Sequence, residues 1–180
     1  MIHKGTKVLK SDRLVLRQFK ENDAEEICNG FINQKEFLYY ANKKITTLDE
    51  EKKFLKNIEE KYKSNNYYNW LITLKESKKI IGTINLRVEE KNETVEVNYA
   101  LDNRYTDKGY MTEALNLVKE YCLNELKVNR FQGGCCVENI ASKRVMEKCG
   151  MQCEGILRRY IVLNDGYHDM YMFSIVNEIK

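Results

Sequence analysis

The sequence predicts an α/β (α+β) protein. A single domain over residues 1–180 would carry a mixed, mostly antiparallel sheet of about seven strands, with helices on both faces. Three observations predict it. Residues 94–101 alternate, with Val95, Val97, Tyr99 and Leu101 on one side and Thr94, Glu96, Asn98 and Ala100 on the other, the period of a half-buried strand. A helical period follows, in which Met111, Ala114, Leu115, Val118, Tyr121, Cys122 and Leu126 recur at three- and four-residue spacing. Beyond that helix, residues 130–137 read as another strand, and a helix between two strands makes them parallel through a right-handed crossover. A chain of 180 residues can bury a core of its own.

The elements follow in order. Residues 12–19 alternate as a first strand, and Asn22-Asp23 then cap a short helix carrying Ala24, Ile27, Cys28 and Phe31. The aromatic run 37–41 either lines a groove for a substrate or fills core. Thr47 with Glu50 makes a capping box for a charged helix over 48–62, with Phe54, Leu55 and Ile58 inward. Residues 67–74 and 79–87 are rich in β-branched and aromatic side chains and read as a hairpin. The polar turn 89–92 joins it to the 94–101 strand, which completes an antiparallel meander. Gly133-Gly134 interrupt the next strand and mark either a close approach, as by a ligand lying beside the 94–101 strand, or a merely loose strand. Asn139 then caps a helix that Gly150 ends. Two closing strands flank Asn164-Asp165-Gly166, a hairpin turn.

The connection from Asn103 to Ala114 is the most informative stretch. A strand, a short loop with Gly109 and a helix start gather backbone N–H groups where the helix dipole adds positive charge, and such a point binds phosphate. An ordinary strand-to-helix turn is the other reading. The phosphate loop Gly-x4-Gly-Lys-Ser/Thr is absent, and Gly109 lacks the neighbouring glycines of a dinucleotide fingerprint.

Composition narrows the classes. A net charge of +3 with interleaved acids and bases, as in Asp49-Glu50-Glu51-Lys52-Lys53, gives no clustered basic face for nucleic acid. No apolar run is long enough to span a bilayer, and residues 1–7 lack a signal-peptide core, so no membrane partner and a cytoplasmic location are expected. Six cysteines include no Cys-x-x-Cys pair, and His3 and His168 lie far apart, so no metal is expected. The sequence leaves the oligomeric state open between monomer and homodimer.

Two ordered motifs resemble the GNAT superfamily of N-acetyltransferases. Arg104-Tyr105-Thr106-Asp107-Lys108-Gly109 is similar to its pyrophosphate loop Arg/Gln-x-x-Gly-x-Gly/Ala, with Asp107 at the first glycine position. Asn139-Ile140-Ala141-Ser142, Glu147-Lys148-Cys149-Gly150-Met151 and Glu154-Gly155 resemble the pattern Asn-x-x-Ser-x-x-x-x-Glu-Lys-x-Gly-Phe-x-x-Glu-Gly. The tail Gly109-Tyr110-Met111-Thr112-Glu113-Ala114, the opening Arg13-Leu14-Val15-Leu16-Arg17 and the ending around Asp165-Gly166-Tyr167 resemble the ribosomal-protein-alanine (RimJ/RimL-type) subgroup.

The resemblance implies acetyl-CoA as co-substrate, in a notch where the central parallel pair splays. The pantetheine arm would bond backbone near Tyr99 and Leu101, and the N–H groups of Lys108, Gly109, Tyr110, Met111 and Thr112 would hold the pyrophosphate. Arg104 and Asp107 belong to the same loop. Asn139 would contact the pantetheine side, although its role as a helix cap is sufficient by itself. Glu96 would be the base that deprotonates an amine, directly or through water. The family's acidic tyrosine position is Met146 here, and Ser142, one helical turn earlier on the same face, is the substitute, unless it only bonds local backbone.

Freeing the nucleophile at pH 7 costs roughly 1 kcal/mol for an α-amino group and about 4.6 kcal/mol for a lysine. A protein N-terminal α-amino group, the acceptor that the resemblance to the ribosomal-protein type implies, therefore needs only a modest base. A small amine such as a polyamine or an antibiotic, or a coenzyme A-binding module with little turnover, are the alternatives.

Overall fold

The computed structural model describes residues 1–30, 47–163 and 165–178. Phe31, the aromatic run 37–41 and Asn164 lie outside the described residues. Eight strands form one sheet: β1 (Leu9–Lys10), β2 (Leu14–Arg17), β3 (Asn69–Leu74), β4 (Ile80–Glu89), β5 (Thr94–Leu101), β6 (Arg130–Cys136), β7 (Gln152–Leu163) and β8 (Gly166–Val176), in the order β1-β2-β3-β4-β5-β6-β8-β7. The expected count of about seven thus becomes eight, the two-residue β1 being too short to carry a period. The helices are α1 (Ala24–Gly30), α2 (Leu48–Lys61), α3 (Tyr110–Glu120) and α4 (Ile140–Lys148).

Contacts divide the chain into two compact units, one of His3–Asn85 and Tyr99–Ala114, the other of Met1–Ile2, Leu86–Asn98 and Leu115–Lys180. In the first, Phe19, Ala24, Ile27, Leu55, Ile58, Leu71 and Ile80 pack together as a core. A 3-10 turn, Glu21–Asp23, leads into α1. Its cap is Lys20 rather than Asn22-Asp23: the Asp23 carboxylate accepts from the Lys20 N–H at 2.7 Å and from the Arg17 guanidinium at 2.7 and 2.8 Å.

Helix α2 starts as expected, with the Thr47 hydroxyl accepting from the Glu50 N–H at 3.2 Å. Its buried stripe differs from the expectation. Leu55 and Ile58 are buried, but Phe54 is 43% exposed and Glu51 is 2% exposed. Glu51, Leu55 and Ile58 stand at i, i+4 and i+7, whereas Phe54 is turned about 100° from Leu55. Burial raises the Glu51 carboxyl to about 7, and its Oε2 has no hydrogen-bond partner among the described residues.

Strands β3 and β4 form the expected hairpin, and β3 is buried on both faces from Trp70 to Thr73. Gly82 of β4 lies against β5, and a Cβ there would stand 2.5 Å from the Ala100 carbonyl oxygen. The alternation of β5 changes phase part-way: Val95 and Val97 are buried, but then Ala100 is buried while Tyr99 and Leu101 are only half-buried. All seven apolar stripe residues from Met111 to Leu126 are buried, along α3 and the π-helical turn Tyr121–Glu125 that extends it.

In the second unit, β5 and β6 run parallel, as the crossover requires, with Thr94↔Arg130, Val95↔Phe131 and Glu96↔Gln132 in register. The ladder stops there, although β5 continues to Leu101 and β6 to Cys136. The two glycines of β6 serve neighbouring strands. A Cβ on Gly133 would stand 3.0 Å from Val97 Cγ1, and one on Gly134 would stand 2.9 Å from the Tyr171 carbonyl of β8. β8 pairs antiparallel with both β6 and β7, and β7 ends the sheet among the described residues. Register shifts interrupt the β7–β8 ladder between Cys153 and Gly155 and between Leu157 and Ile161.

Candidate active site

The loop after β5 is built on Asp102, whose side chain is fully buried. Its carboxylate accepts from the Arg104 N–H at 2.9 Å and from Arg104 Nε at 3.0 Å, which sets the 3-10 turn Asn103–Tyr105. Arg104 is therefore tied to the loop itself. Lys108 Nζ likewise donates to the Arg104 carbonyl at 3.0 Å. Asp107 follows at φ +57° and Gly109 at φ +77°, both left-handed, and α3 begins at Tyr110. The Glu113 N–H donates to the Gly109 carbonyl at 3.0 Å and closes the first turn. Met111 in that turn faces the core, so only its backbone is available to a ligand. Thr112 is half-buried.

Arg13, the residue before β2, braces this loop. Its Nη1 donates to the Lys108 carbonyl at 3.0 Å, its Nε to Glu113 at 2.7 Å, and its guanidinium lies 4.5 Å from the centre of the Tyr110 ring. Ser11 donates to Glu113 at 2.6 Å. Burial pushes the Glu113 carboxyl up, but the bonds from Ser11 and Arg13 outweigh it and hold the group below its usual range. The sequence offered Arg13 only as part of an opening motif. A loop contact ninety-five residues distant in the chain has no local periodic signal.

Of the other predicted residues, Glu96, Asn139 and Ser142 lie in the second unit, and Tyr99 and Leu101 in the first. Glu96 is half-buried on β5, with the Gln132 amide Nε2 at 3.5 Å from its carboxylate. Asn139 Oδ1 accepts from the Ser142 N–H at 3.0 Å, so the capping role is realised. Ser142 also hydrogen-bonds the Cys135 side chain. Burial drives the Cys135 thiol up to about 11, with Ser142 opposing, so this cysteine is a poor nucleophile near neutrality. Met146, one turn on, is fully buried and serves the core. Tyr99 and Leu101 lie at the end of β5, beyond the parallel ladder.

A central parallel strand pair in a mostly antiparallel sheet, with a left-handed loop opening a helix after the first of those strands, is the arrangement that the resemblance of the two motifs implied. The sequence profile of the acetyltransferase (GNAT) domain matches residues 13–152. The chain belongs to the GNAT family and is an N-acetyltransferase. It is 29% identical over 170 residues to the N-acetyltransferase YoaA of Bacillus subtilis, covering 94% of this chain and 96% of that one. To the ribosomal-protein-serine acetyltransferase of Escherichia coli it is 31% identical over 96 residues, 53% of this chain and 54% of the relative. The structure of RimL, a ribosomal L7/L12 α-N-protein acetyltransferase in complex with coenzyme A, superposes with a TM-score of 0.79 at 20% identity, covering 97% of this chain and all of that one. The likeness to the ribosomal-protein type seen in the motifs is thus matched by relatives of that type.

Proposed function

We propose that this chain moves the acetyl group of acetyl-CoA directly to a protein N-terminal α-amino group. The observation that carries the reading is the pair of left-handed residues, Asp107 and Gly109, immediately before α3. Gly109 fits a pyrophosphate: where its Cβ would be, the nearest atom is Arg13 Nη2 at 3.6 Å, so an anion can approach the backbone beside a cation. The N–H groups of residues 108–112 hold the pyrophosphate, and the backbone of Tyr99 and Leu101 takes the pantetheine arm. Acetyl-CoA, when bound, supplies the thioester. Coenzyme A in the RimL complex supports this choice, and the name of the Escherichia coli relative supports the acceptor class.

Glu96 accepts the proton that the ammonium must lose before its nitrogen attacks the thioester carbonyl. As the C–S bond breaks, Ser142 donates to the sulfur and recovers a proton from solvent. An α-amino acceptor needs only a modest base, and Glu96 is half-buried rather than sealed in a low-dielectric core. Peptides with free N-terminal serine or alanine, lysine-only peptides and spermidine, each incubated with acetyl-CoA, separate the acceptors by mass spectrometry. Acetylation at the peptide α-amine is expected. Transfer to spermidine alone would move the assignment to small amines, and binding of coenzyme A without any transfer would leave a binding module.

On the accepted peptide, Glu96→Gln is expected to lower kcat by about 10²-fold or more and to recover as pH rises and the amine loses its own proton. Ser142→Ala should lower kcat at unchanged coenzyme A affinity. Parental turnover in Glu96→Gln at neutral pH would remove Glu96 from the mechanism.

A further inference from the structure

Glu154 and Gly155 close the second motif, and the chemistry above gives them no part. The first β7 register shift explains their placement. Cys153 faces Phe173 and Gly155 faces Met172, consecutive residues of β8, so Glu154 is an extra residue in a β-bulge. The side chain of Glu154, 43% exposed, reaches along the sheet toward β8 and β6. Ser174, 3% exposed on β8, donates to Glu154 Oε1 at 2.6 Å, and Arg130 of β6 grips both carboxylate oxygens, Nη1 at 2.8 Å from Oε1 and Nη2 on Oε2.

Arg130 passes this constraint on. Its Nε–H donates to Gln132 Oε1 at 2.7 Å, two residues along the same face of β6. Because Nε–H can only donate, the amide oxygen of Gln132 must turn to Arg130 and its NH₂ group must turn away. That NH₂ group meets the Glu96 carboxylate, on the residue that stands opposite Gln132 in the parallel register. The polar line Glu154–Arg130–Gln132–Glu96 therefore crosses the sheet from β7 to β5.

We propose that Glu154 is a positioning residue for acetyl transfer: by holding Arg130 it orients the Gln132 amide toward Glu96 and keeps the guanidinium off that carboxylate. The inference rests on Glu96 being the base. Arg130 is the diagonal neighbour of Glu96, close enough for a long side chain to cross. Without Glu154 the guanidinium has one remaining carboxylate within such reach on β5, and pairing there would make Glu96 a weaker base.

The test is a titration of the Glu96 side-chain carboxyl by ¹³C NMR in the full chain, the resonance being identified by its loss in Glu96→Gln. In Glu154→Gln the midpoint is expected to fall by about half a unit or more, and to return toward the parental value in Glu154→Gln/Arg130→Gln. Gln132→Leu removes a donor to the charged form and should move the midpoint up. Opposite signs from two neighbouring variants are not the signature of general loosening. An unmoved midpoint in Glu154→Gln overturns the proposal. Should that variant fail to fold, Gln132→Leu keeps Glu154 on Arg130 and Ser174, and no upward shift there overturns it equally. Rates on a peptide with a free N-terminal serine separate the two readings. Midpoints that move while Glu96→Gln keeps the parental rate overturn the base assignment and leave the clamp standing, whereas a slow Glu96→Gln with unmoved midpoints overturns the clamp alone.

Discussion

Asp107 holds the position where the GNAT loop usually carries glycine, and it does so at φ +57°, a region that aspartate tolerates better than most residues. The backbone is preserved, but a carboxylate is left beside the proposed phosphate site. Asp107→Gly keeps the φ and removes the charge, so coenzyme A should bind about two- to fivefold tighter by calorimetry, the scale of an exposed charge pair. The gain should shrink in about 1 M salt, where charges are screened within about 3 Å. Unchanged or weaker binding would show that the carboxylate is not felt there. Glu51 poses a different charge problem. Its carboxyl is raised to about 7, above the value near 4.5 of an open chain, so the folded protein holds a proton that the unfolded chain releases between those values. Stability from this group is thus undiminished below about pH 4.5, falls as pH rises toward 7, and is lowest above it. Glu51→Gln should stabilise the fold by about 2 kcal/mol at alkaline pH and by little in acid, as read from urea unfolding at the two pH values. An equal gain at both would mean that burial of the charge is not the cause. The sequence held this residue in plain view, at i−4 from Leu55 and i−7 from Ile58, but a glutamate in an acidic first turn reads as solvated.

Among the elements, α3 was the most legible because every apolar residue of its stripe is buried along one face. β5 was legible only as far as Val97, since the burial phase then shifts to Ala100. Strict alternation cannot anticipate a change of phase within a strand. The paired glycines of β6 suggested a close approach or a loose strand, and close approaches are found, by Val97 at Gly133 and by the Tyr171 carbonyl at Gly134. β7 and β8 were legible only through the turn between them, because β7 is exposed from Gln152 to Tyr160 and so shows no buried face. Gly82 is the case with the clearest consequence. Its missing Cβ lets β4 approach a backbone carbonyl of β5, and a carbonyl in a ladder cannot swing aside as a side-chain end can. Gly82→Ala should cost about 1–3 kcal/mol in urea unfolding with an unchanged slope. A loss below about 0.5 kcal/mol, the level of an ordinary surface change, would mean that the strands separate freely at this point.

At the scale of the molecule, the family and the order of the elements were legible because two motifs, each with its own local logic, occur in the right sequence. The brace by Arg13 and the line from Glu154 to Glu96 were not, since each joins residues that only the sheet brings together. The terminal strand β7 has a further consequence. Ile156, Tyr160 and Val162 are 50%, 60% and 64% exposed on a strand with one side open among the described residues, a combination that in a flat strand would recruit other chains into β-aggregates. Its two register shifts, the left-handed Arg159 and the exposed Arg158 break the straight run of backbone groups that such recruitment needs and set charge in the middle of it. Arg158→Ile should therefore raise the rate of light-scattering growth on incubation just below the melting temperature while leaving that temperature nearly unchanged. The same bulge that sets Glu154 against Arg130 and Ser174 would then also be keeping concentrated protein in solution.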